Sequence, residues 1–159
     1  MSISDLESRI QRLEDESALT KLINTYTILP DAFRWVEWAD LFTDDAEFRL
    51  ENSFGVLKGK QEIHDVCKGN MDHVYDDQQH YIVNVDVTIN GDTATGTANL
   101  VFIGLPDKND PVTHFMGGGR YAWKFRRTAD GWRISDASLR FIWNNGVDED
   151  GVFVHVSEK

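Results

Sequence analysis

The sequence predicts an α+β fold, in which helices come first and a curved antiparallel sheet follows, enclosing one apolar pocket. Three observations carry this. Apolar residues recur at three- and four-residue steps through the first part of the chain, alternation with period two takes over near residue 80, and the turn dipeptides Asn90-Gly91 and Asp130-Gly131 punctuate the alternating stretch. Helices and strands are segregated along the chain, which argues against a doubly wound parallel sheet.

Each element has its own justification. Ile3, Leu6, Ile10 and Leu13, continued by Leu19, Leu22, Ile23 and Tyr26, form one stripe of an amphipathic helix. Ser4 is the expected N-cap with Glu7 three residues on, and Pro30 is the expected stop, since proline donates no N–H. A short second helix is expected from Ala32 to Phe42, turning Phe33, Val36 and Trp38 toward the core with Trp35 nearby; Asp31 would stand at its N-cap. Ala46–Glu51 and Phe54–Leu57 read as short strands around Asn52-Ser53. A third helix opens at Gly59-Lys60 and runs through Met71, burying Ile63, Val66 and Cys67. His80 to Val87 alternates as a strand, with both faces expected to be substantially buried. Thr93–Leu105, Val112–Arg127 and Trp132–Trp143 complete a meander, with a loop at Pro106–Pro111 and a possible bulge near Ser135–Ser138.

A chain of 159 residues suits one domain, spanning 1–159, with a long helix over 1–29 and a polar tail over 144–159 that carries a Val-Phe-Val patch. The single cysteine, Cys67, excludes an internal disulfide and a zinc ribbon. No apolar run is long enough to span a bilayer, and the charged N-terminus lacks a signal-peptide core, so a cytoplasmic location is expected. A net charge of −11 repels phosphate backbones and makes nucleic acid an unsuitable partner. Five Trp, nine Phe and four Tyr supply the rigid side chains that line pockets for flat apolar ligands.

Two residues stand out for chemistry. His80 opens a strand, and His80, Ile82 and Asn84 should share one face of it. A histidine and an asparagine among aliphatic residues need partners, because an unpaired buried polar group costs about 1–3 kcal/mol. Asp31 could supply one: a carboxylate bonded to one imidazole nitrogen fixes the tautomer and stabilises the imidazolium formed when the other nitrogen takes a proton. Tyr26 could present a phenol to the same pocket, with Trp35 and Phe102 as aromatic walls. His114, next to the Gly117–Gly119 run, could reach the pocket mouth, and Arg140 lies oddly among Leu139, Phe141 and Ile142. The triple glycine lacks the following helix and Lys-Ser/Thr of a phosphate-binding loop. The five histidines form no HxH or HxxxH set, so no metal site is expected.

Tyr26, Asp31, the Trp35/Trp38 segment leading to Leu41-Phe42-Thr43-Asp44-Asp45-Ala46, the His80–Asn84 stretch, Asn90-Gly91-Asp92-Thr93-Ala94, and Arg127 through Asp130-Gly131-Trp132 together resemble one known pattern. It is that of the SnoaL-like branch of the nuclear-transport-factor-2-like superfamily, and within it of scytalone dehydratase and hexachlorocyclohexane dehydrochlorinase. The resemblance implies a cone-shaped, cystatin-like α+β barrel with a deep pocket and no cofactor. It also implies an Asp–His dyad, falling on Asp31 and His80, that removes a proton as a leaving group departs. It implies a homo-oligomer, a trimer before a dimer. The dehydratase's further histidine and serine are not matched, since the corresponding stretches read Ile103-Gly104 and Gly118-Gly119. The expected function is a lyase or isomerase acting on an apolar cyclic compound. The alternatives are a non-catalytic small subunit of an aromatic-ring dioxygenase, and a cyclase or carrier for polyketide or steroid-like molecules.

Overall fold

The computed structural model describes residues 2–51 and 55–145. Helix α1 (Ile3–Asp31) begins with its apolar stripe at Ile3, two residues earlier than an N-cap at Ser4 would allow. Ser2 is the N-cap, and its hydroxyl and the Asp5 carboxylate exchange hydrogen bonds with each other's backbone N–H in a capping box. Pro30 lies inside the last turn instead of ending the helix before it. The missing N–H costs little there, because Ala32, Phe33 and Arg34 donate back to Ile28, Leu29 and Pro30 and close the helix end. Phe33 reverses the chain with φ of 54°, a left-handed conformation that an aromatic residue rarely adopts. Helix α2 is therefore shorter than expected, Trp35–Ala39, and Arg34, not Asp31, is its N-cap. Trp35 and Trp38 are buried, whereas Val36 faces solvent.

Strands β1 (Phe42–Leu50) and β2 (Gly55–Lys58) form a hairpin, and helix α3 (Lys60–Val74) follows. Residues 52–54, which include the expected start of the second strand, lie outside the described residues, as does the tail from 146 with its Val-Phe-Val patch. Strands β3 (Asp77–Asn90), β4 (Thr93–Leu105), β5 (Phe115–Thr128) and β6 (Gly131–Asn145) make the expected antiparallel meander. Strand β5 begins three residues later than expected, and β6 takes in Asn144 and Asn145 from the expected tail. The sheet order is β2-β1-β6-β5-β4-β3, with β1 parallel to β6 and every other pair antiparallel. The sheet is open, a curved cone and not a closed barrel, and the three helices fill its concave side.

Irregularities in the ladder bend it. Register shifts fall between Val83 and Asp86 in β3, between Phe42 and Glu47 in β1, and opposite Gly118/Gly119 and Lys124/Phe125 in β6. The last two leave Ile142 and Ser135 as extra residues, and extra residues increase bend and twist. The triple glycine belongs to this bend. A Cβ on Gly118 would lie 2.2 Å from the Trp143 ring, one on Gly117 2.7 Å from Phe141, and one on Gly119 2.6 Å from the Arg140 carbonyl oxygen.

The concave face carries the core, including Phe102, Phe115, Trp123, Phe125 and Ile134. Helix α1 is locked to two hairpins through Asp15, whose carboxylate takes both Arg127 terminal nitrogens at 2.7 Å and the Trp132 indole N–H at 3.0 Å. Arg127 also stacks over Trp132 and bonds Asp92 of the β3–β4 turn. The expected burial of both β3 faces is not met: Tyr81, Val83 and Val85 are exposed, as are Ile3, Leu6, Ile10 and Leu13 of α1. Among the described residues, no layer covers either stripe. Among the described residues, no helix is long and apolar enough to cross a membrane.

Candidate active site

The end of α1 is stitched to the start of β3. Gln78 Nε2 donates to the Pro30 carbonyl at 2.7 Å, and the His80 backbone N–H donates to Asp31 Oδ2 at 3.0 Å. His80 Nδ1 lies 2.6 Å from Asp31 Oδ1. Asp31 thus grips one residue at two points, its main chain and its ring. Asp31 does not cap α2, so its carboxylate is free for this pairing. A carboxylate at a helix C-terminus opposes the negative end of the helix dipole, and no basic residue offsets it in that turn. The two bonds from His80 compensate, and the strained turn at Phe33 immediately follows the aspartate. Local rules broken together at one point are what a functional site looks like.

A carboxylate only accepts hydrogen bonds, so Nδ1 carries a hydrogen, and in a neutral ring the lone pair then lies on Nε2. The ring rests against Phe102 with centroids 4.8 Å apart, and it lines a hollow of about 70 Å³ open to the centre of a water molecule. Tyr26 and Pro30 of α1, Trp35 and Trp38 of α2, and Cys67, Asn70 and Met71 of α3 form one wall. The sheet supplies the other, with Phe48, Leu100, Phe102, Tyr121, Leu139 and Phe141 among its residues. Among the described residues, no Asp, Glu, Lys or Arg lines the hollow; Asp31 stands behind the imidazole.

Tyr26 packs edge-on against Tyr121 (centroids 5.5 Å) and Trp123 (5.7 Å). Burial pushes the Tyr26 phenol well above its ordinary value, and the neighbouring Tyr121 adds to this; burial likewise raises Tyr121. Both phenols therefore remain protonated donors at neutral pH. Burial also pushes the Cys67 thiol up to about 12. The Trp35 indole N–H donates to Asp72 at 2.6 Å and ties α2 to α3.

Of the residues expected in the pocket, His80, Tyr26, Trp35 and Phe102 line it, with Asp31 bonded to His80. Three lie elsewhere. Asn84 has φ of 57° at the β3 bulge, which breaks the alternation and turns it outward, where its side chain accepts from Asn99. Arg140 lies between the two extra residues of β6, faces solvent, and approaches Glu51 at 3.8 Å. His114 belongs to the turn before β5, and its Nδ1 bonds the Val112 carbonyl. Sequence reasoning missed Tyr121 and Asn70. The alternation of Tyr121, Trp123 and Phe125 carried a signal for the first, and a polar residue one helical turn beyond buried Cys67 carried one for the second. Among the described residues, no group of three His, Cys, Asp or Glu side chains stands together as a metal site would require.

Comparison with known proteins places the fold. No curated protein matches the chain. Among solved structures, it resembles a nuclear-transport-factor-2-like protein with a cystatin-like fold from Novosphingobium aromaticivorans, at 23% identity over 97% of each chain and a TM-score of 0.76. It resembles a candidate aromatic ring hydroxylase from the same organism at 27% identity, covering 85% of this chain and 94% of that one, with a TM-score of 0.75. It also resembles the hexachlorocyclohexane dehydrochlorinase LinA-type3 of Novosphingobium barchaimii, at 19% identity over 95% and 99% of the two chains and a TM-score of 0.77. Residues 11–138 match the model of the SnoaL-like domain, and the chain belongs to that family.

Proposed function

We propose that the protein is a lyase that removes a proton from a carbon of a small, uncharged ring compound, with a neighbouring group departing. The observation that carries this reading is the Asp31–His80 pair: the ring lines the hollow while the carboxylate behind it fixes the tautomer. His80 Nε2 takes the proton with its lone pair. The electrons of the broken C–H bond form a double bond to the adjacent carbon, and the leaving group departs with its own bonding pair. The imidazolium that results lies against the Asp31 carboxylate at the negative end of α1, both of which stabilise it. The protonated Tyr26 phenol, in the wall of the same hollow, would donate to the leaving group or an activating carbonyl. General-base catalysis of this kind supplies about 10²–10⁴-fold.

The test is turnover of a panel of hydroxylated ring compounds by wild type, His80→Ala and Asp31→Asn, followed by the absorbance of the new double bond. Loss in both variants supports the reading, and retained turnover in both removes the dyad from the mechanism. A second reading, a small subunit assembled with a larger iron-bearing oxygenase chain, draws on the likeness to a candidate ring hydroxylase. Co-purification of such a chain from the native source would favour it.

A further inference from the structure

Asn70 is out of place by helix rules. On α3, Ile63 and Cys67 form the buried stripe, and the next position on that stripe falls at residues 70–71. Met71 fits it, but Asn70, a poor helix former with four hydrogen-bonding positions to satisfy, lines the same hollow. Among the described residues, no protein group takes its side-chain amide. The other polar groups of the wall are differently engaged. His80 Nδ1 is held by Asp31, the Trp35 indole donates to Asp72, and the Tyr26 and Tyr121 phenols stand against each other. Among the described residues, the Trp38 indole N–H is buried without a hydrogen-bond partner.

We propose that Asn70 is a substrate-positioning residue, and that the substrate is an uncharged ring compound carrying a carbonyl or hydroxyl oxygen that the Asn70 amide holds. This rests on the lyase reading above and adds to it the nature of the group recognised. An amide both donates and accepts, so it matches a ketone or an alcohol and gives a chlorinated hydrocarbon little. Charge disfavours a carboxylate or phosphate: among the described residues no Lys or Arg lines the hollow, and Asp31 stands behind His80.

The experiment uses three probes built on one six-membered ring: cyclohexanone, methylenecyclohexane, in which CH₂ replaces the oxygen, and cyclohexanecarboxylate. Dissociation constants are measured by ligand-observed NMR for wild type, Asn70→Leu, Asn70→Ala and His80→Ala, with melting temperatures as the folding control. The wild type should prefer the ketone to the hydrocarbon and reject the carboxylate. Either Asn70 variant should reduce that preference about 3- to 10-fold, the scale of one neutral hydrogen bond, and His80→Ala should keep it. An unchanged preference in folded Asn70 variants, or a carboxylate bound as tightly as the ketone, would overturn the inference. The two readings fail separately. Turnover retained without His80 refutes the dyad, whereas ketone preference retained without Asn70 refutes only this assignment.

Discussion

Replacing Asp15 by Asn should destabilise the protein by an amount set by its carboxylate and should do so only above a definite pH. The side chain is buried, and the Arg127 guanidinium, aided by the Trp132 indole, holds its carboxyl at about 2. A fall from 3.8 to about 2 corresponds to about 2 kcal/mol, at about 1.4 kcal/mol for each pH unit. Because the folded value is the lower one, this stability is complete above the ordinary carboxylate pKa and is lost as pH falls through the folded value. At pH 7, Asp15→Asn should therefore lose about 2 kcal/mol, or roughly 4–8 °C in melting temperature for a domain of this size. The gap between wild type and variant should close between about pH 4 and pH 2. Urea unfolding at pH 7 and at pH 2.5, with matched slopes, reads both. A loss under about 0.5 kcal/mol at pH 7, the scale of an ordinary surface change, or a gap that does not narrow in acid, would refute the view that Asp15 anchors α1 to the sheet.

Three further outcomes follow from the packing. Gly119→Ala would set a Cβ against the Arg140 carbonyl oxygen, a backbone atom with little freedom to move, and should cost about 1–3 kcal/mol in urea unfolding; a neutral result would contradict the close approach at this bend. Trp35→Phe removes the hydrogen bond to Asp72 and should lower stability by about 1 kcal/mol, with weaker ligand binding because α2 and α3 share the pocket wall. Cys67, with its thiol pushed up to about 12, should resist a thiol reagent at pH 8 in the native protein and react once per chain in urea. Rapid native labelling would show that the pocket floor opens.

The long elements were legible because periodicity survives in them. Alternation from His80 in β3 and the two Gly-containing turns located the meander, and the tryptophans and phenylalanines marked the core. The Asp31–His80 contact was not legible from the residues alone, since 49 positions separate them and only the folded path of α1 against β3 joins them. The errors came from single-residue irregularities. One left-handed residue at Phe33 shortened α2 and freed Asp31 from capping, and another at Asn84 reversed a face that alternation had pointed inward. The parallel pairing of β1 with β6 left no local signal, because a non-neighbouring strand pair depends on the whole sheet. Asn70 was visible as a polar residue near a buried helical stripe, yet its meaning appeared only when the cavity did.

Proton abstraction itself can be read without knowing the natural leaving group. In D₂O, NMR follows exchange of the protons beside the carbonyl of cyclohexanone in the presence of wild type, Asp31→Asn and His80→Ala. The account predicts exchange faster than in buffer with wild type and at least about 10²-fold slower in both variants. Exchange at the wild-type rate without His80 would show that the base lies elsewhere, and the dyad would then be no more than a hydrogen bond holding α1 to β3.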